Sequence, residues 1–185
     1  MYLIVGLGNP GPRYEGSRHN LGFRVVEFLA GLLKAERPTQ RCRSLCASAW
    51  ISQEQVILAQ PLTYMNRSGL AVAQLLRFYA LTPDRLILIF DDLDLKPGTI
   101  RIRAGGGSAG HRGVQSVIES LQDAGFIRVR IGIGRPPENM EAADYVLEPP
   151  SPEERSLLNE AVARAAEAVQ VIVRQGLLTA MNLYN

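Results

Sequence analysis

The hydrophobic and polar residues of the chain alternate in some segments and recur with helical spacing in others. Short apolar runs bounded by glycine or polar residues predict strands at residues 2–5, 45–51, 55–59, 86–90, 99–103 and 127–133. Apolar positions three and four residues apart predict helices at residues 21–34, 114–121 and 153–174. A further helix is predicted to begin at Asn66, a favourable N-cap residue, and to end at Tyr79 before Pro83.

Strands and helices that alternate along a chain are typical of an α/β domain. We therefore predict a twisted, mixed β-sheet flanked by helices on both faces. The length of 185 residues fits a single domain over residues 1–185, and a hydrophobic content of 46% predicts a folded rather than a disordered chain. No apolar run approaches the ~18 residues of a membrane span, and no signal peptide is evident, so we predict a cytoplasmic protein.

The two cysteines, Cys42 and Cys46, are too few for a disulfide framework. The chain has only two histidines, so a four-ligand zinc site would need every cysteine and histidine in it. We predict two free thiols and no metal site.

Two glycine-rich motifs match known functional motifs only in part. The sequence GLGNPG at residues 6–11 matches a dinucleotide-binding fingerprint, but Pro10 and Pro12 disfavour the helix that should open there. Ser108 lies in a G-x-S-x-G sequence, yet a hydrolase of that type needs an acid and then a histidine further along the chain. The only later histidine, His111, follows Ser108 by three residues with no acid between them, so a flexible glycine loop is the better interpretation.

Polar loops follow three of the predicted strands, at residues 6–20, 91–98 and 104–112. Active sites of α/β folds lie beyond the carboxyl ends of strands. Both histidines and Asp91 lie in or beside these loops. The loops are therefore the predicted location of any chemistry.

A general-base pair can be built from His19 and Asp91. An imidazole can take a proton from water near neutral pH, and a carboxylate on its other nitrogen fixes the tautomer. The amides of Asn9 and Asn66 offer a donor and an acceptor each, enough to hold a carbonyl and the attacking water. From the residues alone, a surface histidine and a helix-capping asparagine explain the same positions equally well.

The charge of the chain is unevenly distributed. Residues 97–135 carry six arginines against two acidic residues, whereas residues 138–160 carry seven acidic residues and one arginine. Four of the arginines alternate with apolar residues on two predicted strands, so that each pair shares a face: Arg101, Arg103, Arg128 and Arg130. If the strands are neighbours, these side chains form a comb that fits a phosphate backbone, although an ordinary solvated sheet face has the same pattern.

Six motifs in order resemble those of one enzyme family. They are LIVGLGNPG, SRHNLG with Tyr14 before it, PLTYMNRSG, FDDLDLKPG, GGGSAGHRG and RVRIGIGR, at residues 3–11, 17–22, 61–69, 90–98, 105–113 and 128–135. With this set, the chain resembles bacterial-type peptidyl-tRNA hydrolases over essentially its whole length.

The resemblance implies a single α/β domain, usually monomeric, without a cofactor or an obligate protein partner. It implies hydrolysis of the ester between a peptide and the 3′-terminal ribose of tRNA, which recycles tRNA from stalled or aborted translation. The substrate, peptidyl-tRNA, would be held by its acceptor stem and 3′ end. The alternative is a non-catalytic RNA-binding relative with the same fold.

The resemblance also assigns residues. His19 would be the catalytic base, Asp91 its partner, and Asn9 and Asn66 the residues that position substrate and water. The expected cleft-lining residues are Tyr14, Tyr64, Met65 and His111, and the expected tRNA phosphate contacts are Arg101, Arg103 and Arg130. Arg112 stands where the family commonly has asparagine; its side chain can donate hydrogen bonds but accept none, so we expect it at the substrate site with an altered affinity.

Overall fold

The computed structural model describes residues 1–185 and contains one mixed sheet of seven strands. The strands are β1 (Tyr2–Gly6), β2 (Thr39–Arg41), β3 (Ser44–Ile51), β4 (Glu54–Pro61), β5 (Leu86–Asp92), β6 (Ile100–Ala104) and β7 (Ile127–Gly132). The helices are α1 (Leu21–Leu32), α2 (Ser68–Phe78), α3 (Arg112–Leu121), α4 (Ala142–Tyr145), α5 (Pro152–Gln175) and α6 (Leu177–Tyr184). Short 3₁₀ turns occupy Pro12–Tyr14, Arg18–Asn20, Met65–Arg67 and Pro83–Arg85.

The strands lie in the order β2-β3-β4-β1-β5-β7-β6. The four central strands β4, β1, β5 and β7 are parallel, and antiparallel strands extend the sheet at both sides. Four strand carboxyl ends therefore meet at one edge of the sheet. This edge is where an α/β fold places its site.

Helices cover both faces of the sheet, which confirms the predicted fold class. Along β1, Ile4 packs into a core beneath α1 and α5, whereas Leu3 and Val5 pack into a second core beneath α2 and α3. Alternate side chains of a strand point to opposite faces, so a central strand that is covered on both sides is apolar throughout. This explains the continuous apolar runs in the sequence.

Two glycines allow α1 to approach the central strands closely. A Cβ atom on Gly22 would lie 2.4 Å from both the backbone oxygen of Ile89 and the backbone nitrogen of Leu7. A Cβ atom on Gly6 would lie 2.0 Å from the backbone oxygen of Gly22. The glycines at residues 6 and 22 thus seat the start of α1 against β1 and β5, immediately after the turn that carries His19.

Most predicted elements are confirmed, with differences at several ends. The helix predicted to begin at Asn66 instead begins at Ser68, so the N-cap prediction for Asn66 is wrong. Asn66 lies inside the preceding 3₁₀ turn. The Oγ of Ser68, the first residue of α2, donates to the backbone oxygen of Met65 in this turn at 2.7 Å. Strand β2 and helices α4 and α6 were not predicted.

None of the six helices has the combination of length and hydrophobicity that crossing a bilayer requires. The cysteines Cys42 and Cys46 carry free thiols. Burial raises the pKa of the Cys46 thiol to about 11, and the nearby Cys42 adds to this rise.

Candidate active site

A cleft of about 500 Å³ opens at the carboxyl ends of the central strands. Its walls come from the loops after β1, β4, β5 and β6 and from the segment around α4. Eight of the predicted site residues line it: Asn9, His19, Tyr64, Met65, Asn66, Asp91, His111 and Arg112. Residues that are far apart in the sequence therefore meet in one cavity.

His19 and Asp91 are hydrogen-bonded at the floor of the cleft. The Nδ1 atom of His19 lies 2.8 Å from Oδ1 and 2.9 Å from Oδ2 of Asp91. Asp91 is 2% exposed and His19 is 9% exposed. Because a carboxylate only accepts hydrogen bonds, Nδ1 carries the proton, and in the neutral ring Nε2 is left with a free lone pair.

His111 also donates a hydrogen bond to Asp91, a contact that the sequence did not predict. Its Nδ1 accepts a hydrogen bond from the backbone N–H of Val114 at the start of α3, at 3.3 Å. The proton of the neutral ring is therefore on Nε2, which lies 3.0 Å from Oδ1 of Asp91. One carboxylate thus holds the two imidazoles, whose ring centres are 4.8 Å apart.

The two histidines keep Asp91 ionised. Burial alone would raise the pKa of this carboxyl group. The positive charges that His19 and His111 carry when protonated, together with their hydrogen bonds, outweigh burial and hold the pKa of Asp91 well below its usual value. Asp91 is therefore an acceptor of hydrogen bonds throughout the neutral pH range.

Asn9 is fixed by two neighbours so that its side-chain nitrogen faces the cleft. Its Oδ1 accepts from the backbone N–H of Met65 at 2.8 Å. The side chain of Asn20 binds the backbone of Asn9 twice, with Oδ1 accepting at 2.8 Å and Nδ2 donating at 2.9 Å. The Nδ2 group of Asn9 has no protein acceptor, so it can donate to a bound molecule.

The remaining predicted cleft residues divide into two groups. Asn66, Tyr64 and Arg112 are exposed at the mouth of the cleft, and Met65 is buried in its wall. Tyr14 does not line the cleft; it ends the Pro12–Tyr14 turn, with the guanidinium of Arg13 over its ring.

The predicted arginine comb lies on one face of β6 and β7, but only three of its four members reach the surface. In the antiparallel register Arg101 is opposite Arg130, and Arg103 is opposite Arg128. Arg128 is 2% exposed, so its assignment to an exposed comb is wrong. Its guanidinium donates to the backbone oxygens of Gly106, Gly107 and Ala124.

The loop that covers Arg128 explains this correction. Glycines at residues 105–107 have no side chains, so the loop carbonyls come within hydrogen-bonding distance of the guanidinium. Burial lowers the pKa of Arg128 to about 10, with a smaller contribution from the positive charges of Arg103 and Arg130. Arg128 therefore stabilises the glycine loop through hydrogen bonds to its backbone.

The three accessible arginines differ in their local partners. Arg103 is exposed, and its Nε donates to the backbone oxygen of Gly105 at 2.9 Å. Arg101 donates to the backbone oxygen of Asn185 at 2.5 Å. The Nε of Arg130 donates to Oδ2 of Asp92 at 2.7 Å. Each guanidinium keeps further N–H groups that can bind an anion.

Sequence reasoning missed three parts of the site. These are the clamp of Asn20 on Asn9, the hydrogen bond from His111 to Asp91, and the cleft wall at residues 142–147. The motif SRHNLG did contain Asn20. The cleft wall has no comparable signal, because its residues are apolar and its helix has only four residues.

A family model, sequence relatives and solved structures at 36% identity or more give the same family. A sequence model of the peptidyl-tRNA hydrolase family matches residues 3–185. The peptidyl-tRNA hydrolase of Chloroflexus aggregans is 50% identical, with 100% of this chain and 99% of the relative covered. The peptidyl-tRNA hydrolase of Syntrophomonas wolfei is 45% identical, with both chains covered completely. The crystal structure of peptidyl-tRNA hydrolase from Acinetobacter baumannii superposes with a TM-score of 0.94 at 36% identity, covering 100% of this chain and 94% of that one.

Proposed function

Because the chain belongs to the peptidyl-tRNA hydrolase family, we propose that it hydrolyses the ester bond between a peptide and the 3′-terminal ribose of tRNA. The observation that carries this proposal is the His19–Asp91 pair on the floor of an open cleft. Such a pair supplies a general base, which accelerates the attack of water on an ester. The products are a free peptide with a carboxylate and a tRNA with a free 3′ end.

In the proposed mechanism His19 activates water. Its Nε2 takes a proton from a water molecule while the water oxygen attacks the ester carbonyl. Asp91 accepts the Nδ1–H of His19 and stabilises the imidazolium that forms. The imidazolium then gives its proton to the ribose oxygen as the carbon–oxygen bond breaks.

The side chains at the mouth of the cleft position the substrate. The free Nδ2 of Asn9 is suited to donate to a carbonyl oxygen of the substrate, where it would also stabilise negative charge in the transition state. Asn66 follows Met65, whose backbone N–H binds Asn9; the side chain of Asn66 is exposed and has no partner in the protein, so its amide is available for substrate or water. Arg112 is placed to donate to a peptide carbonyl or a phosphate of the 3′ end.

The face of β6 and β7 that carries Arg101, Arg103 and Arg130, called the arginine face below, is the proposed contact for the tRNA acceptor stem. Arg101, Arg103 and Arg130 lie on one face of neighbouring strands, so they match the repeated charges of a phosphate backbone. Contacts of this kind position the substrate without reading its sequence. Tyr14, outside the cleft, would act only if the substrate extends to the Pro12–Tyr14 turn.

We further propose a cytoplasmic, monomeric protein without a cofactor or an obligate protein partner, as the family resemblance implies. The prediction of one domain over residues 1–185 is supported by the single sheet, which combines strands from both halves of the chain.

Turnover of a defined substrate tests the proposal. We expect the purified protein to release N-acetyl-amino acid from N-acetyl-aminoacyl-tRNA much faster than the spontaneous rate. The same protein with the His19→Ala substitution is the matched control. Binding of the substrate without any release would overturn the proposal and favour the non-catalytic RNA-binding alternative.

A further inference from the structure

We propose that Arg18 is a positioning residue that fixes His19 relative to the cleft wall formed by residues 142–147. This inference rests on the proposed role of His19 as the base. Arg18 directly precedes His19 in the chain and is 6% exposed. It does not line the cleft, so it acts through other residues.

Arg18 and His19 bind the cleft wall through their main chain. The backbone N–H of His19 donates to the backbone oxygen of Val146 at 2.8 Å. The backbone N–H of Arg18 donates to the backbone oxygen of Glu148 at 3.1 Å. The turn that carries the base is therefore joined directly to a segment that contributes Val146 and Leu147 to the cleft.

The guanidinium of Arg18 binds the same segment a second time. Its Nη1 donates to the backbone oxygens of Tyr145 and Glu148, at 3.2 and 3.3 Å. Its central carbon lies 4.1 Å from the centre of the Tyr145 ring. The hydroxyl of Tyr145 in turn donates to the backbone oxygen of Ile133 at 2.7 Å, just beyond β7.

Glu154 completes the anchor at the start of α5. Its Oε2 accepts from Nη2 of Arg18 at 2.7 Å and from the backbone N–H of Ser151 at 2.8 Å. The second bond belongs to a capping box, in which Ser151 Oγ accepts from the backbone N–H of Glu154. The partner of Arg18 is thus held rigidly by the longest helix of the fold.

The wall depends on this anchor because α4 is too short to be stable by itself. A four-residue helix has a single turn, and isolated helices of this length do not form in water. A buried arginine is costly unless it is paired, and here it binds four partners across more than one hundred residues of sequence. The resulting geometry sets the space between His19 and the wall, where a displacement of about 1 Å can cost ~10²-fold in rate.

Variants of the two ionic partners test the inference. Arg18→Met keeps an apolar stem but removes the guanidinium bonds, and Glu154→Ala removes the anchor from the other side. Glu154→Gln retains an oxygen acceptor for Arg18 and serves as the conservative variant. Ser151→Ala weakens the same helix cap without touching Arg18. Arg24→Met removes another arginine that binds α5, through Asn159, but not the wall.

We expect Arg18→Met and Glu154→Ala to lower kcat by about tenfold or more while KM changes by less than about threefold. Glu154→Gln, Ser151→Ala and Arg24→Met should stay within about threefold of the wild-type kcat. Circular dichroism and thermal unfolding establish which variants are folded. If Arg18→Met does not fold, Glu154→Ala decides by the same criteria.

A readout without substrate separates this inference from the proposed function. The chain has only two histidines, and the structure gives them different tautomers, so their ring N–H signals can be distinguished by NMR. We expect the Nδ1–H signal of His19 to weaken by exchange with water in Arg18→Met, while Arg24→Met retains it. A folded Arg18→Met with the wild-type kcat and an unchanged His19 signal would overturn the inference. An inactive wild type would overturn the proposed function alone.

Discussion

Asp91 and Asp92 end strand β5 side by side, and their carboxylates point to opposite faces of the sheet. Asp91 accepts hydrogen bonds from His19 and His111. Asp92 accepts from Nε of Arg130. The end of one central strand therefore connects the proposed catalytic base with the proposed tRNA face.

The cross-strand pair of Arg103 on β6 and Arg128 on β7 gives a prediction in which the two residues behave differently. Arg103→Ala should weaken tRNA binding and reduce the slope of log affinity against log salt by about 1, since one phosphate contact is lost. Arg128→Ala should leave that slope unchanged but destabilise the protein by about 2–4 kcal/mol, because three backbone oxygens lose a buried donor. Salt titrations of tRNA binding and urea unfolding measure the two effects. An unchanged slope for Arg103→Ala would show that the arginine face is only solvated.

The free amide nitrogen of Asn9 can be tested by a replacement of nearly equal shape. Asn9→Asp retains an oxygen acceptor for the backbone N–H of Met65 but loses the Nδ2 donor. We expect Asn9→Asp to remain folded and to lower kcat/KM by about 10²-fold, as the loss of a transition-state donor does. Steady-state hydrolysis with thermal unfolding as a control measures this. Wild-type kcat/KM in Asn9→Asp would exclude Nδ2 as the substrate donor.

The low pKa of Asp91 predicts the acid stability of the fold. In the unfolded chain an aspartate titrates near pH ~3.9, whereas in the folded protein the pKa of Asp91 lies well below this value. The resulting stabilisation is complete above about pH 5 and is lost as pH falls toward and through the native pKa. The free energy of unfolding of the wild type should therefore fall more steeply than that of Asp91→Asn between about pH 4 and pH 2. Parallel curves from urea unfolding across this range would contradict the assignment.

Arg112 predicts an effect on substrate affinity. Its exposed side chain lines the cleft at the start of α3 and forms no ion pair within the protein. Replacing it by asparagine, the common residue of the family, removes a cation that can contact the 3′ end. We expect Arg112→Asn to keep kcat within about threefold and to change KM in a salt-dependent way. If the wild type and Arg112→Asn have the same KM at low salt and again the same KM at high salt, Arg112 does not contact the substrate.

The sequence predicted the central strands and long helices because their patterns are local. Strand β5 is a continuous apolar run, and α5 has an uninterrupted apolar stripe of the kind that predicts a helix. Helix α4 and strand β2 were missed because four and three residues are too few to show a period. Their positions depend on contacts made elsewhere in the chain.

The site also has parts that the sequence predicts and parts that it does not. Loops after strands converge at one edge of the sheet, which predicts that His19 and Asp91 lie near the site, and the family motifs then assign their roles. The burial of Arg128 could not be predicted, because it depends on a glycine loop folding over the strand. The bond from His111 to Asp91 depends on how α3 is placed against β5, and no sequence pattern encodes that distance.

The most direct measurement is the single-turnover rate of His19→Ala on N-acetyl-aminoacyl-tRNA, compared with the wild type at saturating protein. If His19 is the base, the rate should fall by ~10²–10⁴-fold, while substrate binding changes little because the imidazole acts on water. A rate within a few-fold of the wild type would contradict the central claim that the imidazole held by Asp91 activates the attacking water.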